Sequence, residues 1–227
     1  MLVIANWKLH FDYQEARKWV QNFAGSVKGT GLPEVVIAPS FLLVPALKKE
    51  LAARDLKVKI GAQTVSSFEQ GSYTGEVSAR QLSEWVNYVI IGHSERRKYF
   101  GETDKDVVEK VRRALRHQIT PVICVSELSQ VDCLVREDFK NKNLVVAYEP
   151  LFAIGSGRPD TPQNISLVVD KICDRLERRV RVLYGGSVSA DNAAGILKQG
   201  NVDGFLVGRA SLDPVGFAEL VKTLVRC

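Results

Sequence analysis

Three side chains of this sequence, Glu149, His93 and Lys8, together could move a proton next to a carbonyl group. In such a reaction a carboxylate removes the carbon-bound proton, while a neutral imidazole and an ammonium group stabilise the negative charge that develops on oxygen. We therefore predict that Glu149 is the catalytic base and that His93 and Lys8 stabilise an enediolate. Because the three residues lie far apart along the chain, the chemistry requires a fold that brings them together.

Each of the three has an ordinary alternative when it is taken alone. Lys8 could be a solvated loop lysine, His93 could cap a helix, and Glu149 could simply end a strand. Two glycine-containing turns, Gly185-Gly186-Ser187 and Gly208-Arg209, strengthen the catalytic interpretation. Turns that lead into helices offer backbone N–H groups to a phosphate, although the first function of such glycines is a tight turn. The pattern favours a small phosphorylated carbonyl compound as substrate.

The elements that must position these residues are eight short apolar runs rich in Val and Ile, separated by amphipathic stretches. The runs are Leu2–Ala5, Val35–Ala38, Val58–Gln63, Tyr88–Gly92, Pro121–Val125, Leu144–Tyr148, Val180–Tyr184 and Gly204–Val207. They show no clean alternation of apolar and polar residues, which is typical of strands buried on both faces of a parallel sheet. One strand–helix unit takes about 28 residues on average, close to the size of a βα step.

These units predict an α/β fold, a (β/α)8 TIM barrel, as a single domain over residues 1–227. The alternative is an open doubly wound sheet, which is disfavoured because the chain has no early dinucleotide-type glycine cluster. Thr161-Pro162 and Asp213-Pro214 each predict a helix start, with an N-cap followed by proline. Segment Ser126–Asn143 has few apolar residues at helical spacing, so we expect a short or irregular helix there.

In a barrel of this kind, function lies at the C-terminal ends of the strands. The residues that follow the runs include Asn6, Lys8, His93, Glu95, Glu149, Gly185, Ser187, Gly208 and Arg209. Independent accidents would not place all of these at strand ends. We therefore predict that they meet on one rim.

The segment from Pro150 to Asp160 is long for a loop between a strand and a helix. It is apolar in the middle and carries prolines near both ends. This composition predicts a lid whose tip is driven by burial of Phe152 and Ile154. The alternative is a disordered surface loop, in which both apolar side chains would be wasted in solvent.

Composition excludes several other classes of protein. The net charge of +5 arises from basic residues that alternate with acids, so we predict solvated helix faces and no nucleic-acid partner. No apolar run approaches the ~20 residues needed to span a bilayer, so we predict no membrane association. The four cysteines form no CxxC pair and the three histidines are dispersed, so we predict no metal and no cofactor. The start of the chain lacks a secretory pattern, and a reducing cytoplasm is the expected compartment.

Five longer motifs carry a specific resemblance. They are Ala5-Asn6-Trp7-Lys8, Ile91-Gly92-His93-Ser94-Glu95-Arg96-Arg97, Ala147-Tyr148-Glu149-Pro150 with the lid, Tyr184-Gly185-Gly186-Ser187-Val188, and Gly204-Phe205-Leu206-Val207-Gly208. In these motifs and in their order the chain resembles the triosephosphate isomerase family, over nearly its whole length. The resemblance implies interconversion of dihydroxyacetone phosphate and glyceraldehyde 3-phosphate.

The resemblance also implies roles for individual residues. Glu149 would be the base, His93 the neutral electrophile and Lys8 the electrostatic stabiliser. Asn6 would contact the substrate, and Glu95 would be a supporting carboxylate. The groups that would meet the phosphate through their main chain are Gly155, Ser187, Gly208 and Arg209.

The resemblance further implies a homodimer. The loop from Gln63 to Glu76 would reach into the other subunit, where Glu76 would pair with Arg96 of the partner subunit. Asn6, Lys8 and His93 would thereby be braced from across the interface.

The chain departs from the family pattern in several places. It is shorter than the roughly 250 residues typical of the fold, with losses between Cys124 and Asn143 and between Arg178 and Val180. Arg209 replaces a common glycine, so its φ must be negative or strained. The remaining departures are Thr64 for a common Asn, Phe152 for Trp, and Pro159 in the second hinge of the lid. We expect the two losses to affect local helices and thermal stability before catalysis.

Two other functions compete with the isomerase. One is a non-catalytic barrel retained as a binding protein, which would be expected to lack Glu149, His93 or Lys8. The other is a different phosphate-binding barrel enzyme, such as one from tryptophan biosynthesis. The lid and the His93-Ser94-Glu95 motif speak against it.

Overall fold

The computed structural model describes residues 1–135, 139 and 142–225. Eight parallel strands pair in chain order and close into a barrel. They are Leu2–Asn6 (β1), Glu34–Ala38 (β2), Val58–Ala62 (β3), Tyr88–Ile91 (β4), Thr120–Val125 (β5), Val145–Tyr148 (β6), Arg181–Tyr184 (β7) and Gly204–Val207 (β8). The barrel closes where β8 pairs with β1, with Leu2 opposite Gly204. The predicted (β/α)8 barrel is confirmed, and the open doubly wound sheet is wrong.

Helices cover the outside of the barrel. Those in the described part are Tyr13–Val27 (α1), Val44–Ala52 (α2), Ala79–Leu82 (α3), Ser94–Phe100 (α4), Asp104–Arg116 (α5), Asp132–Val135 (α6), Pro162–Arg175 (α7), Ala190–Gln199 (α8) and Pro214–Val225 (α9). The predicted caps are confirmed: Thr161 Oγ1 accepts a hydrogen bond from the backbone of Asn164 at 3.3 Å. The Asp213 carboxylate likewise accepts from the backbone of Val215 and Gly216 at the start of α9.

The strands are apolar on both faces because the molecule has two apolar layers. Alternate side chains, such as Leu2 and Ile4 of β1, point into the barrel and form an inner cluster. The intervening ones, such as Val3 and Ala5, pack against the helices in a larger outer cluster. Burial on both faces removes the alternation that a half-exposed strand would show.

Gly204 is required where the barrel closes. Its φ is +149°, and a Cβ added there would lie 1.8 Å from the carbonyl oxygen of Leu2. No side chain fits between β8 and β1 at this point, so the closure depends on glycine.

The fifth strand–helix unit contains the segment for which the sequence predicts a short or irregular helix. A 3-10 turn at Leu128–Val131 runs directly into α6, which is described as far as Val135. The rest of the predicted irregular segment includes residues 136–138 and 140–141, which lie outside the described residues. Among the described helices none is both long and apolar enough to cross a membrane.

Candidate active site

A cavity of about 650 Å³ opens at the C-terminal ends of the strands. Its lining includes every residue that the sequence predicts for catalysis and substrate binding: Asn6, Lys8, His93, Glu95, Glu149, Gly155, Ser187, Gly208 and Arg209. These residues lie at or after the C-terminal ends of five different strands. Parallel strands that close into a barrel present all their C-terminal ends on one face, so the fold brings the residues together.

Glu149 and His93 face each other in the depth of the cavity. Glu149 follows β6 and is 2% exposed, and its Oε1 lies 3.2 Å from Nε2 of His93. Burial alone would raise the pKa of Glu149, but His93 lowers it below the usual value, through its positive charge when it is protonated and through its hydrogen bond. The backbone N–H of Ser94 adds a long contact of 3.4 Å to Oε2. The carboxylate is therefore ionised at neutral pH, as a base must be.

His93 caps a helix and also lines the cavity, so the cap is confirmed and does not exclude the catalytic role, which stays a prediction. Its Nδ1 accepts the backbone N–H of Glu95 at 3.2 Å, in the first turn of α4. A ring nitrogen that accepts carries no proton, so this contact assigns the proton to Nε2, which donates to Glu149. Burial lowers the pKa of His93, yet the charges of Glu149 and Glu95 raise it above the usual value. The predicted neutral form of His93 therefore depends on the bond to Nδ1.

Lys8 is held in an unusual backbone conformation. Its φ is +53°, in the left-handed region, which costs a residue with a side chain roughly 1 kcal/mol. Nζ donates to Oε1 of Glu95 at 2.6 Å, and the backbone N–H donates to Oδ1 of Asn6 at 3.2 Å. These bonds aim the ammonium group into the cavity.

Gln63 is a positioning residue that the sequence analysis missed. Its Nε2 donates to the carbonyl oxygens of Lys8 at 2.8 Å and of Ala38 at 2.9 Å, and so holds the strained turn after β1. The predicted third strand ran through Gln63, whereas β3 ends at Ala62. If the predicted third strand had ended at Ala62, Gln63 would have been the first residue after it and would have been grouped with the other residues at strand ends.

The four residues predicted to meet a phosphate also line the cavity: Gly155, Ser187, Gly208 and Arg209. Gly155 and Ser187 have φ of +66° and +50°, which turns their backbone away from ordinary extended geometry. Arg209 opens a 3-10 turn, Arg209–Ser211, outside the left-handed region. The sequence analysis expected the φ of Arg209 to be negative or strained, and the structure has the unstrained conformation.

Hydrogen bonds hold the lid, residues 150–160, over the cavity. The backbone N–H of Gly157 donates to Oγ of Ser187 at 3.1 Å, and the Ser187 hydroxyl donates to the carbonyl oxygen of Ala153. Ile154 is half-buried and lines the cavity. Phe152, however, is 63% exposed, so the prediction that its burial drives the lid tip is wrong. Hydrogen bonds to Ser187, and not burial of Phe152, hold the lid tip in this structure.

Gly185 and Gly186 are needed for close approach rather than for a positive φ. A Cβ on Gly185 would lie 2.8 Å from Cγ of Glu149. One on Gly186 would lie 2.6 Å from the hydroxyl of Tyr184 and 2.8 Å from Cβ of Ala153 in the lid. Both positions therefore leave room for the base and for the lid.

Glu102 supports the turn that carries His93. This carboxylate is 7% exposed and accepts from the backbone of Gly92 at 2.8 Å, from Nε of Arg96 at 2.6 Å and from Nζ of Lys110 at 2.7 Å. Burial alone would raise the pKa of Glu102, but the ion pairs with Lys110 and Arg96 outweigh burial and lower the pKa below its usual value. The group is therefore ionised at neutral pH. It ties β4, α4 and α5 together directly behind His93.

The loop from Gln63 to Glu76 lies outside the cavity, apart from its first residue's contact with Lys8. Phe68 and Tyr73 stack in this loop with ring centroids 3.7 Å apart, yet remain 44% and 43% exposed. Glu69 fastens the loop to the end of α5 through His117 and Arg113. The loop therefore presents a preformed apolar tip to solvent.

No group of three or more His, Cys, Asp or Glu side chains in the described residues is arranged to hold a metal ion. In the same part of the chain no disulfide bond joins Cys124, Cys133 or Cys173.

Comparisons with known proteins agree on one family. The family model described as triosephosphate isomerase matches residues 1–224. A triosephosphate isomerase of Thermus thermophilus is 40% identical over 98% of this chain and 98% of its own length. Those of Moorella thermoacetica and Symbiobacterium thermophilum are 40% and 38% identical, over 97% and 96% of this chain and 97% and 94% of their own lengths.

Proposed function

This chain belongs to the triosephosphate isomerase family, and on that basis we propose how its cavity performs the reaction. The chain is an isomerase that interconverts the triose phosphates dihydroxyacetone phosphate and glyceraldehyde 3-phosphate. The observation that carries the mechanism is the buried Glu149 carboxylate 3.2 Å from Nε2 of His93, in a cavity that also contains Lys8.

Glu149 is the base that removes the proton from the carbon next to the carbonyl group. The pair of electrons left behind forms the enediolate, and the same carboxyl group returns the proton to the neighbouring carbon. Burial keeps water away from the carboxylate, and His93 keeps it ionised.

His93 and Lys8 stabilise the oxygen charge of the enediolate. The Nε2–H group of His93 contacts Glu149 and can turn to a substrate oxygen. The Lys8 ammonium group lines the same cavity, where it forms an ion pair with Glu95. Donors that are already oriented cost no reorganisation when the charge develops. Asn6 supports Lys8 and contacts the substrate.

The phosphate is held by main-chain N–H groups of Gly155, Ser187, Gly208 and Arg209. Support comes from their common position in the cavity lining and from the start of α8 close after Ser187. Charges at helix starts and oriented N–H groups suit an anion.

We further infer that the enzyme is a homodimer formed through the loop Gln63 to Glu76. The exposed stack of Phe68 and Tyr73 supports this, since paired aromatic side chains are rarely left to solvent. Arg96 already bonds Glu102 and lies 4.9 Å over the ring of Phe100, and its pairing with Glu76 of the partner subunit stays a prediction. The cytoplasmic location also stays a prediction, and it accords with the lack of a disulfide among Cys124, Cys133 and Cys173.

The direct test is a coupled assay of isomerisation with the full chain and its Glu149→Asp variant. Shortening the side chain by one methylene retracts the carboxylate, and positioning is worth orders of magnitude in rate. We expect turnover to fall at least about 10²-fold with the fold intact by circular dichroism. Glu219→Asp, the same change at a site 56% exposed on α9, is the matched control and should retain full activity.

The outcomes separate the competing functions. Near-normal turnover of Glu149→Asp would remove Glu149 as the base. A wild-type chain that binds inorganic phosphate without isomerising triose phosphates would favour a binding protein or a different phosphate-binding enzyme.

A further inference from the structure

Asp160, the last residue of the lid, is a buried carboxylate that the mechanism above does not use. It is 8% exposed and does not line the cavity. Burying an acidic side chain is costly unless hydrogen bonds replace its water. The carboxylate of Asp160 therefore needs hydrogen-bond partners within the protein.

Its bonds connect the second hinge of the lid to three elements. Oδ2 accepts from Nδ2 of Asn164 in the first turn of α7 at 2.6 Å and, at a longer 3.4 Å, from the hydroxyl of Tyr148 at the end of β6. The backbone N–H of Asp160 donates to the hydroxyl of Tyr184 at the end of β7 at 2.8 Å. Oδ1 accepts from the backbone of Thr161 at 2.7 Å.

Capping of α7 does not account for this arrangement. An acidic residue before a helix is favoured by the helix dipole, but an exposed one gains that without burial. Thr161 already caps α7 through its hydroxyl. Within the described part of the chain, the hydrogen-bond partners of Asp160 are neutral groups, so no ion pair explains the burial either.

The contacts lead to the catalytic machinery instead. Tyr148 directly precedes Glu149, and Tyr184 directly precedes Gly185 and Gly186. The lid packs closely against Gly186, since a Cβ there would meet both the Tyr184 hydroxyl and Ala153 of the lid. One residue thus touches the strand that carries the base and the strand that supports the lid.

The two tyrosine hydroxyls stay protonated and available as hydrogen-bonding groups. Burial, with the Asp160 charge as a smaller contribution, raises the pKa of Tyr148 to about 12. Burial likewise raises the pKa of Tyr184 to about 12, although its bond to the Asp160 backbone opposes this.

We propose that Asp160 is a positioning residue of the isomerisation, whose carboxylate holds the second hinge of the lid against Tyr148 and Asn164 so that the lid closes with Glu149 in place. The proposal rests on the proposed function, because it requires Glu149 as base and the lid as cover. Asp160 acts through its neighbours and not on the substrate.

The readout that separates positioning from simple stability is the fate of the enediolate. When the lid is loose, the electron pair of the enediolate forms a new carbon–carbon double bond, the carbon–oxygen bond to the phosphate breaks, and inorganic phosphate leaves with the bonding electrons. The enol left behind becomes methylglyoxal when it loses its hydroxyl proton and gains a proton at the terminal carbon. We expect Asp160→Ala to lower kcat roughly ten-fold with little change in KM, and to raise methylglyoxal formed per turnover. Asp160→Asn keeps one acceptor oxygen and should recover part of both effects.

Thr161→Ala is the matched control. It removes the cap next to Asp160 and should lower thermal stability, at a cost of ~1 kcal/mol, without raising methylglyoxal per turnover. Tyr148→Phe removes the same contact from the other side and should change kcat and methylglyoxal in the direction of Asp160→Ala. Because both changes remove the same contact, the double variant Asp160→Ala/Tyr148→Phe should lower ln kcat by less than the sum of the two single effects.

Two results would overturn the proposal. One is an Asp160→Ala variant that matches Thr161→Ala, with lower thermal stability but unchanged kcat and methylglyoxal. The other, decisive if Asp160→Ala fails to fold, is normal kinetics in both Asp160→Asn and Tyr148→Phe. Failure of the proposed function itself appears separately, as a wild-type chain without isomerase activity.

Discussion

At the scale of single residues, the reaction depends on the electrostatic coupling between Glu149 and His93. The carboxylate is buried, which favours its protonated form, and only its neighbours keep it ionised. The imidazole has the reverse problem, because the same carboxylate draws a second proton to it. Each group therefore sets the protonation of the other.

This coupling predicts the pH dependence of a His93→Gln variant. In the acid range a protonated His93 lowers the pKa of Glu149 by its charge, and glutamine cannot take up that proton. Burial should therefore dominate in the variant, and the pKa of Glu149 should rise above its wild-type value. A base is lost when pH falls below its pKa, so the acid limb of kcat/KM should move to higher pH by roughly one unit. Turnover should also fall by about 10² or more. The measurement is kcat/KM of both proteins across the acid range.

The substrate phosphate titrates identically for the two proteins, so the difference between their profiles reports the enzyme alone. An acid limb that stays in place or moves to lower pH would show that His93 does not depress the pKa of Glu149.

At the scale of elements, the lid is fastened at its tip by Ser187 and at its second hinge by the Arg158-Pro159-Asp160 segment. Proline fixes one φ near −65° and biases Arg158 away from helical geometry. Both effects reduce the conformers of an open lid, so closure should cost less entropy than with a flexible hinge.

A Pro159→Gly variant tests this account of the hinge. It should bind phosphate-bearing inhibitors roughly two- to five-fold more weakly, the equivalent of 0.4–1 kcal/mol, and form more methylglyoxal per turnover. Pro214→Gly, at the first position of α9, is the control for a loss of proline away from the lid. If Pro159→Gly raised affinity and turnover, proline would be an obstruction to closure.

The Glu102 cluster is the second element-scale device, since it joins β4, α4 and α5 behind His93. Replacing Glu102 by Gln leaves Arg96 and Lys110 without a counter-charge, a change that typically costs 3–5 kcal/mol, so we expect a loss of about that size at neutral pH. The folded-state pKa of Glu102 is lowered, so its stabilisation is present above the unfolded pKa and is lost as pH falls through the folded one.

Denaturant unfolding at several pH values measures this. The difference in unfolding free energy between wild type and Glu102→Gln should be largest near neutral pH and shrink at acid pH. A difference that is independent of pH would mean that packing, and not the charge, makes Glu102 important.

At the scale of the whole molecule, the loop from Gln63 to Glu76 connects the proposed interface to the cavity. Gln63, at the start of this loop, donates a hydrogen bond to the backbone of Lys8, and the exposed stack of Phe68 and Tyr73 lies at the tip of the same loop. Contact with a partner at the tip would therefore steady the residue that holds Lys8.

Deleting Ser66–Tyr73 should produce a soluble monomer of low activity, because the tip that enters the partner is gone and Asn6, Lys8 and His93 lose their bracing. Light scattering gives the mass, and the coupled assay gives the activity. Leu167→Asp, at a leucine 57% exposed on α7, is the control and should leave the dimer intact. A deletion variant that stays dimeric would place the interface elsewhere.

The sequence by itself determined the barrel, the strand positions to within a residue or two, and the rim residues Lys8, His93 and Glu149. These depend on local signals, because burial on both faces makes each strand apolar and every strand end of a parallel barrel falls on one face. Only the tertiary structure decided the role of Gln63, the exposure of Phe152, the close approach at Gly186 and the burial of Asp160. Those depend on contacts between residues far apart in the chain, whose distances follow from strand register and loop path and leave no periodic trace in the sequence.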